Sequence, residues 1–379
     1  MRSGVLVLGL VLGSEGCGFR SPAGPDGSTS GSDRDACTSF SSQVDTCQLA
    51  LDGDLTLSGT ITYDTGTHEL KVDGAVMPVA HMTLTAKAGD IDAILVHNLR
   101  LTMDAALRAT GALPFAIVAS GSVTLEDRAL IDVSAGGAGA LQVCPSSPAS
   151  GGDNMGGAGG GGGAGYGAAG GDGGPGNLDG TLAPGGVKSG SISLPEGPQG
   201  GCPGAHGGAG DSPGGLGGLG GGALCIVAAD RIDLLGNFAT LAAGGGGGRG
   251  GTHGVTNSKG DAGGGGGGSG GMIWLEASHI VGMIGQIAAN GGGGGGGSTD
   301  SNPGQDGAPG SFTISRASGG SGGSPDAADG GSGGSLQELT GETVTVQLKA
   351  GGGGGGGGVG YIHFVSADVQ LGSVSPAAQ

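Results

Sequence analysis

Short stretches of alternating apolar and polar residues recur along the chain, and each one leads into a run of glycines. The fullest copy covers residues 223–243 and opens into the glycines at 244–248, and a second covers residues 271–290 before the glycines at 291–297. A period of two predicts β-strands, and a one-residue change of phase near position 230 predicts a corner between two strands.

Four copies of this pattern align at constant offsets, which predicts that they stack. Relative to the copy at 223–243, the others lie 109 residues earlier, 48 later and 137 later. Parallel strands that cannot bury an apolar face alone do so by stacking about 4.8 Å apart. We therefore predict an all-β fold, a parallel β-helix (β-solenoid) of right-handed form. In this alignment Cys225, Ile273 and Ile362 share one inward column. The predicted outward positions are Phe115, Ile117, Leu224, Ile226, Met272, Trp274, Tyr361 and His363.

Glycine-rich insertions leave the repeated strands at one common corner. They cover about residues 136–222, 244–271, 291–334 and 351–358 and hold most of the 101 glycines. Ordering glycine is entropically unfavourable, so disordered loops are one interpretation. The other follows from the apolar outward columns, which extended, polyproline-like glycine segments could cover while bonding to neighbouring copies.

The chain outside the repeats divides into further strands and an N-terminal cap. Residues 49–135 contain alternating stretches bounded by Gly, Asp and Asn, which predict the first rungs. Residues 37–76 are expected to cap the solenoid. Residues 335–350 predict one more pair of strands.

The N-terminus predicts export. Residues 1–17 combine a basic start with an apolar run that is too short to span a bilayer, which is typical of a signal peptide. Cys17 after Gly16 is the expected acylation site of a bacterial lipoprotein, with plain secretion as the alternative. Residues 18–36 predict a flexible tether, residues 37–371 a single solenoid domain, and residues 372–379 a polar tail.

The remaining cysteines predict two disulfides and one buried thiol. Cys37 pairs naturally with Cys47, and Cys144 with Cys202 across the first insertion, while Cys225 lies within a predicted strand. Such bonds form in an oxidising compartment, in agreement with export. Zinc is the alternative, but no Cys-x-x-Cys spacing is present.

The chemistry of the chain favours no reaction. With 14 basic and 32 acidic residues its net charge is −18, which disfavours nucleic acid as a partner. The densest charged cluster, Glu126, Asp127, Arg128 and Asp132, is explained by a solvated turn. No catalytic residue, cofactor or metal site is predicted. Trp274 and His363 share an outward column and form a candidate ligand platform, with burial under a loop as the alternative.

The rungs of the form Ala-x-x-Ile-x-Leu that end in Ala-Gly-Gly-Gly-Gly, with 107–121 upstream, resemble the glycine-rich exported proteins described as PGRS-like. They are also similar to predicted lipoproteins of myxobacteria. The likeness covers about residues 90–371, and the N-terminal module of the mycobacterial members is absent. It implies a structural or adhesion-type protein of the cell envelope, as an outer-membrane lipoprotein, or a secreted one. A surface glycan or an envelope protein is the expected partner, with the membrane reached through a lipid on Cys17. The alternative is a carbohydrate-binding or carbohydrate-active β-helix, a polysaccharide lyase or hydrolase.

Overall fold

The protein is an all-β molecule in a computed structural model that describes residues 38–178, 181–253, 261–346 and 348–379. One short 3-10 helix, Thr46–Gln48, precedes the strands. The strands are β1 (Leu55–Leu57), β2 (Thr60–Asp64), β3 (Glu69–Val72), β4 (Ala75–Met77), β5 (His81–Ala86), β6 (Gly89–Val96), β7 (Leu99–Leu101), β8 (Ala106–Thr110), β9 (Phe115–Ala119), β10 (Ser122–Leu125), β11 (Leu130–Asp132), β12 (Gly176–Leu178), β13 (Thr181–Ala183), β14 (Ala223–Ala228), β15 (Arg231–Leu234), β16 (Thr240–Ala242), β17 (Met272–Glu276), β18 (His279–Ala288), β19 (Tyr361–Val365) and β20 (Asp368–Ser375).

Most of these strands pair in parallel, in three columns. The first column has the order β6-β9-β14-β17-β19, and the second β1-β7-β10-β15-β18-β20. The third has the order β2-β8-β11-β16, and then continues into the second halves of β18 and β20. The second and third columns therefore merge in the last two copies of the repeat.

Antiparallel strands complete the sheets, which are mixed. β3 and β4 follow β2 as an antiparallel meander, and β5 pairs antiparallel with β6. β12 and β13 form a separate hairpin inside the first glycine-rich insertion. The segment expected to cap the solenoid, which from residue 49 onwards was also expected to begin the rungs, contributes β1 and β2 to the columns and adds the meander beside them.

The main apolar core lies between the columns. Its side chains come from alternate positions of all three columns, as a period of two requires. They include Phe115, Leu224, Ile273 and Ile362 from the first column and Val123, Ile232 and Ile280 from the second. All seven are fully buried.

In chain order, the four copies of the repeat begin with β9, β14, β17 and β19. For this first strand, the predicted alignment of the third and fourth copies with the second is wrong by one residue. Cys225 pairs with Ala116 and Trp274, and Leu224 pairs with Ile273, so the offset is 49 rather than 48. Because neighbouring strand residues point to opposite faces, Cys225 lies on the outer face and Leu224 on the inner one. Phe115, Ile117 and Ile226 are likewise inward rather than outward. Met272, Trp274 and Tyr361 lie on the outer face as predicted.

The physical reason is a shorter corner. Three residues separate Val227 from Arg231 in the second copy, whereas two residues separate Glu276 from His279 in the third. The second strand nevertheless keeps the predicted offset of 48, since Ile232 pairs with Ile280.

The long glycine runs are buried and bonded to one another. Gly161 and Ala164 donate to the carbonyls of Gly264 and Gly267, at 2.9 and 3.0 Å. Those two glycines in turn donate to Gly352 and Gly355, at 2.9 and 2.8 Å, so the three runs are parallel. From one of these hydrogen bonds to the next, both runs advance by three residues. Backbone amides that lack a sheet partner are therefore satisfied by neighbouring runs.

Successive glycines face different neighbours. A Cβ on Gly160 would overlap the carbonyl oxygen of Gly353, one on Gly161 that of Ala205, and one on Gly162 that of Val187. A Cβ on Gly163 would again meet the run contacted by Gly160, at the carbonyl oxygen of Gly356. Three residues per turn is the geometry of a polyproline II helix. The runs thus have the extended form expected of the packed alternative.

Residues 335–350 do not form the predicted pair of strands within 335–346 and 348–350. Their amides and carbonyls bond to glycine runs instead. Gly341 N donates to Ala169 O, Val344 N donates to Asp172 O, and Gly356 N donates to Glu342 O, at 2.9–3.0 Å. Once these groups are satisfied by the insertions, none of them is available for a β-ladder.

Candidate functional site

The outer face of the first column brings the two candidate platform residues together. Trp274 of β17 and His363 of β19 are paired in register, with ring centroids 4.1 Å apart. The indole is 6% exposed, whereas His363 is half-buried and bonds through Nδ1 to Gln379 O at 2.6 Å. Little of the indole face is therefore open to a ligand.

Two segments of the chain pack over this outer face. Tyr166 and Ile192 of the first insertion pack here, and Tyr166 lies edge-on to Tyr361 with centroids 5.3 Å apart. Phe40 and Val44 of the segment before β1 pack on the same cluster. The outer face is thus covered by large side chains as well as by glycine backbone.

A buried carboxylate organises this cover. Glu276 at the end of β17 is 2% exposed and accepts hydrogen bonds from Trp274 Nε1 at 2.8 Å and Ser41 Oγ at 2.6 Å. It also accepts bonds from the amide of Ser42 at 2.8 Å and from the Ser42 hydroxyl. A buried charge is tolerated when its lone pairs are satisfied in this way. Glu276 therefore fastens the N-terminal segment to β17.

The cysteines divide as the sequence suggested where they are described. Cys144 and Cys202 form a disulfide, 58 residues apart in sequence. Cys225 is a buried free thiol, and burial, together with the charge of Glu276, raises its pKa. A thiol held neutral in this way is a poor nucleophile. Cys17 and Cys37 lie outside the described residues, so acylation of Cys17 and the pairing of Cys37 with Cys47 stay predictions.

The densest charged cluster consists of ion pairs between neighbouring copies. Arg100 of β7 bonds to Glu126, Arg128 bonds to Asp104 at 2.6 Å, and Arg108 bonds to Asp132 at 2.5 Å. The Arg100 bond lowers the pKa of Glu126, and the Arg128 bond lowers that of Asp104. Glu126 and Asp104 are thus held ionised by a neighbouring arginine, which does not favour either of them as a general acid.

Four neighbouring glycine runs carry a regular set of exposed side chains. Arg249 N donates to Leu216 O, Gly307 N donates to Gly248 O, and Ala308 N donates to Ser318 O, at 2.8–2.9 Å, which places the runs side by side. A threefold helix places every third residue on one face, and in these runs one such row is exposed, with Gln305 and residues 312–314 exposed beside it. We call these residues the third-position array: Pro213, Leu216, Leu219, Arg249, Thr252, Pro303, Asp306, Pro309, Ser315, Ser318 and Ser321.

The array is fixed in place. Its two leucines are 61% and 50% exposed although their backbone is bonded within the bundle, and Arg249 and Asp306 from adjacent runs form an ion pair at 2.5 Å. A polyproline II rise of about 3.1 Å per residue spaces the side chains of one run by about 9 Å. This surface was not predicted from the sequence, although Leu216 and Leu219 recur there at an interval of three residues.

Comparisons with known proteins add no assignment, since no protein-family model, no curated protein and no solved structure matches this chain. Among the described residues there is also no helix with the length and apolar character needed to cross a membrane.

Proposed function

We propose that this chain is an exported structural or interaction protein, built as a right-handed β-solenoid that carries a bundle of polyproline II glycine helices. The three columns of in-register parallel strands support the solenoid, because one continuous core is sealed by stacking successive copies. Each glycine run leaves after the third column and returns before the first. The repeats and the insertions therefore form one body.

The third-position array is the observation that carries the interaction role. Side chains at regular spacing on adjacent runs of fixed backbone match a ligand that is itself extended and repetitive. Binding needs no further ordering of that backbone, since hydrogen bonds already fix it, so the entropy cost is limited to the exposed side chains. The ligand class we propose is a cell-surface polysaccharide.

The charge of the chain narrows that class. A net charge of −18 disfavours polyuronates and other polyanions, and aliphatic, proline and serine side chains suit a neutral glycan. The Cys144–Cys202 disulfide supports an exported protein, because such bonds persist outside the reducing cytosol. Anchoring through Cys17 is the form of attachment we propose.

The test is retention of the purified mature protein on a panel of immobilised neutral glycans and polyuronates, with release of reducing ends measured in parallel. We expect retention on a neutral polymer without cleavage. The double variant Leu216→Asp/Leu219→Asp should lose at least tenfold in affinity, because it places two charges in the array. The matched control is Met283→Asp/Ile284→Asp, which also adds two charges, since Met283 and Ile284 are 70% and 55% exposed but lie on β18, outside the array.

Three results would contradict the proposal, the third of them only in its ligand class. Equal loss in the array variant and in the Met283/Ile284 control would show that added charge alone weakens retention. Turnover of a polymer at enzyme-like rates would favour the carbohydrate-active alternative. Binding to an envelope protein but to no glycan would keep an interaction role and reject the ligand class.

A further inference from the structure

Two histidines and a buried aspartate meet at the N-terminal end of the sheets. The ligand atoms that His68, His81 and Asp92 offer all lie within 4.8 Å of one another, and these residues are the one such group of three in the described chain. His68 Nδ1 lies 3.0 Å from Asp92 Oδ1, and the rings of His68 and His81 stack with centroids 4.9 Å apart. The sequence analysis expected no metal site here or elsewhere.

Three separate elements bring the donors together. His68 is in the turn between β2 and β3, where it adopts a left-handed φ of 58°. His81 begins β5, and Asp92 lies in β6 at the point where that strand starts to pair with β9. The two histidines border a cleft of about 470 Å³, which Thr67, Glu69 and Met77 also line. An ion held there would be reached from solvent.

The aspartate is positioned as a ligating carboxylate is in metal sites. Its side chain is fully buried, and Tyr63 OH donates to Oδ2 at 2.7 Å, which leaves Oδ1 directed at His68. Hydrogen bonds from a second layer of residues commonly orient ligating groups in this manner. Tyr63 itself is anchored in the core against Phe115, with ring centroids 5.1 Å apart.

The spacing of the donors fits a small ion with nitrogen and oxygen ligands. Tetrahedral bonds of 2.0–2.2 Å place two ligand atoms about 3.3–3.6 Å apart, a few tenths of an ångström beyond the 3.0 Å between His68 Nδ1 and Asp92 Oδ1. His81 is exposed at the start of its strand, so a small rotation of its side chain brings the third donor into range. Imidazole and carboxylate together suit Zn²⁺ rather than Ca²⁺ or Mg²⁺, which prefer oxygen alone.

We propose that His68, His81 and Asp92 form a zinc site with a fourth position open to the cleft. Zinc replaces the hydrogen bond between His68 Nδ1 and Asp92 Oδ1, and the bound imidazole is the neutral tautomer that carries its proton on Nε2. The ion links the meander of β2, β3 and β4 to the β5–β6 pair, so it ties together the end of the sheets where the parallel repeat begins. This role goes beyond the proposed interaction function and does not depend on it.

The experiment uses the mature protein after treatment with EDTA and titration with Zn²⁺ in a calorimeter. We expect one tight site per chain, and a rise in melting temperature that continues as free zinc exceeds the dissociation constant. Substituted Co²⁺ should give the visible absorption of a four-coordinate ion. His68→Gln and His81→Gln should each weaken zinc binding at least tenfold, while His97→Gln, an exposed histidine that bonds to Ser120, should leave it unchanged.

His81→Gln keeps the test decisive, because an exposed strand residue can change without loss of the fold. Its circular dichroism and its melting temperature in EDTA should equal those of the parent. Zinc affinity that is the same in parent and His81→Gln, or the absence of a one-to-one site in the parent, would overturn the proposal. Both results are independent of glycan retention.

Discussion

Ser41 donates a hydrogen bond of 2.6 Å to Glu276 across 235 residues of sequence. The bond joins the segment before the first strand to the third copy of the repeat. Since Glu276 also accepts the indole N–H of Trp274, the same carboxylate connects the N-terminal cover to the outer face of the first column. This one buried acid therefore holds the N-terminal part of the cover on that face.

Replacement of Glu276 by Gln should open the cover. One acceptor oxygen becomes an NH₂ group that faces the Ser42 amide or a serine hydroxyl, and a buried group without a partner costs about 1–3 kcal/mol. We expect faster proteolysis within residues 38–51 and a red-shifted emission from Trp274, the only tryptophan of the chain. Glu126→Gln is the control, because an exposed ion pair contributes at most about 1 kcal/mol. Identical cleavage rates and emission in both variants would show that Glu276 does not hold the segment.

Glycine at position 163 is required by its neighbour rather than by its own backbone. A Cβ there would overlap the carbonyl of Gly356, and backbone cannot move aside as a side chain can. Gly163→Ala should therefore lower the free energy of unfolding by about 3 kcal/mol, at the upper end of overpacking costs. Gly190→Ala is the matched control, since nothing lies within 4 Å of a Cβ there. It should change stability by less than about 1 kcal/mol, with stabilisation expected from the unfolded state. Denaturant midpoints measure both, and equal midpoints would contradict the packed bundle.

The amides of the last glycine run should exchange slowly with solvent. Gly354 and Gly357 donate to Gly295 and Gly292, each at 2.8 Å, inside the bundle. Deuterium uptake in peptides that cover 351–358 should resemble that of β17 rather than that of the loop at 142–147, where Val143 is largely exposed. Complete exchange at the earliest time point would restore the disordered interpretation of the insertions.

The sequence predicted the strand pairs where apolar spacing alone decides them, and failed where a corner changed length. Ile232 and Ile280 were matched correctly, because each follows an exposed polar residue that marks the outer face at the start of its strand. Cys225 was assigned to the wrong face. The corner before β18, which consists of Ala277 and Ser278, is one residue shorter than the corner aligned with it before β15, and the sequence does not show which small residue is missing. Both faces of these strands are apolar, so polarity could not correct the slip.

The two candidate sites differ in what the sequence could show. Leu216 and Leu219 repeat at an interval of three, which a threefold helix converts into one exposed row, so the array was accessible in principle. The group of His68, His81 and Asp92 was not, because it joins antiparallel additions that share no period with the repeat. Such a contact depends on how the meander folds back, and no spacing along the chain encodes that.

Removal of the Cys144–Cys202 bond should destabilise the protein by about 4 kcal/mol in the chain-entropy estimate for a loop of this length. The double variant Cys144→Ser/Cys202→Ser should melt at a lower temperature than the parent. A reducing agent should lower the melting temperature of the parent by more than that of the variant, in which only the predicted Cys37–Cys47 bond is left to reduce. Cys225→Ser is the comparison for the loss of a thiol alone. A parent that melts at the same temperature with and without reductant would contradict a stabilising bond.

The carboxyl group of Asp261 should make the stability of the protein depend on pH. Its side chain is almost fully buried, Oδ1 has no hydrogen-bond partner among the described residues, and burial together with the charges of Asp300 and Asp326 raises its pKa to about 7. Because the folded-state pKa lies above the unfolded value, this group favours folding at low pH, and that contribution disappears as the pH rises from about 4 to 7. Asp261→Asn should therefore be more stable than the parent at pH 8, with the difference shrinking towards pH 4, in thermal melts across that range. Asp211→Asn, at an exposed position, should follow the parent at every pH. A parent and an Asp261→Asn variant with parallel stability curves would show that this carboxyl group titrates normally in the folded protein.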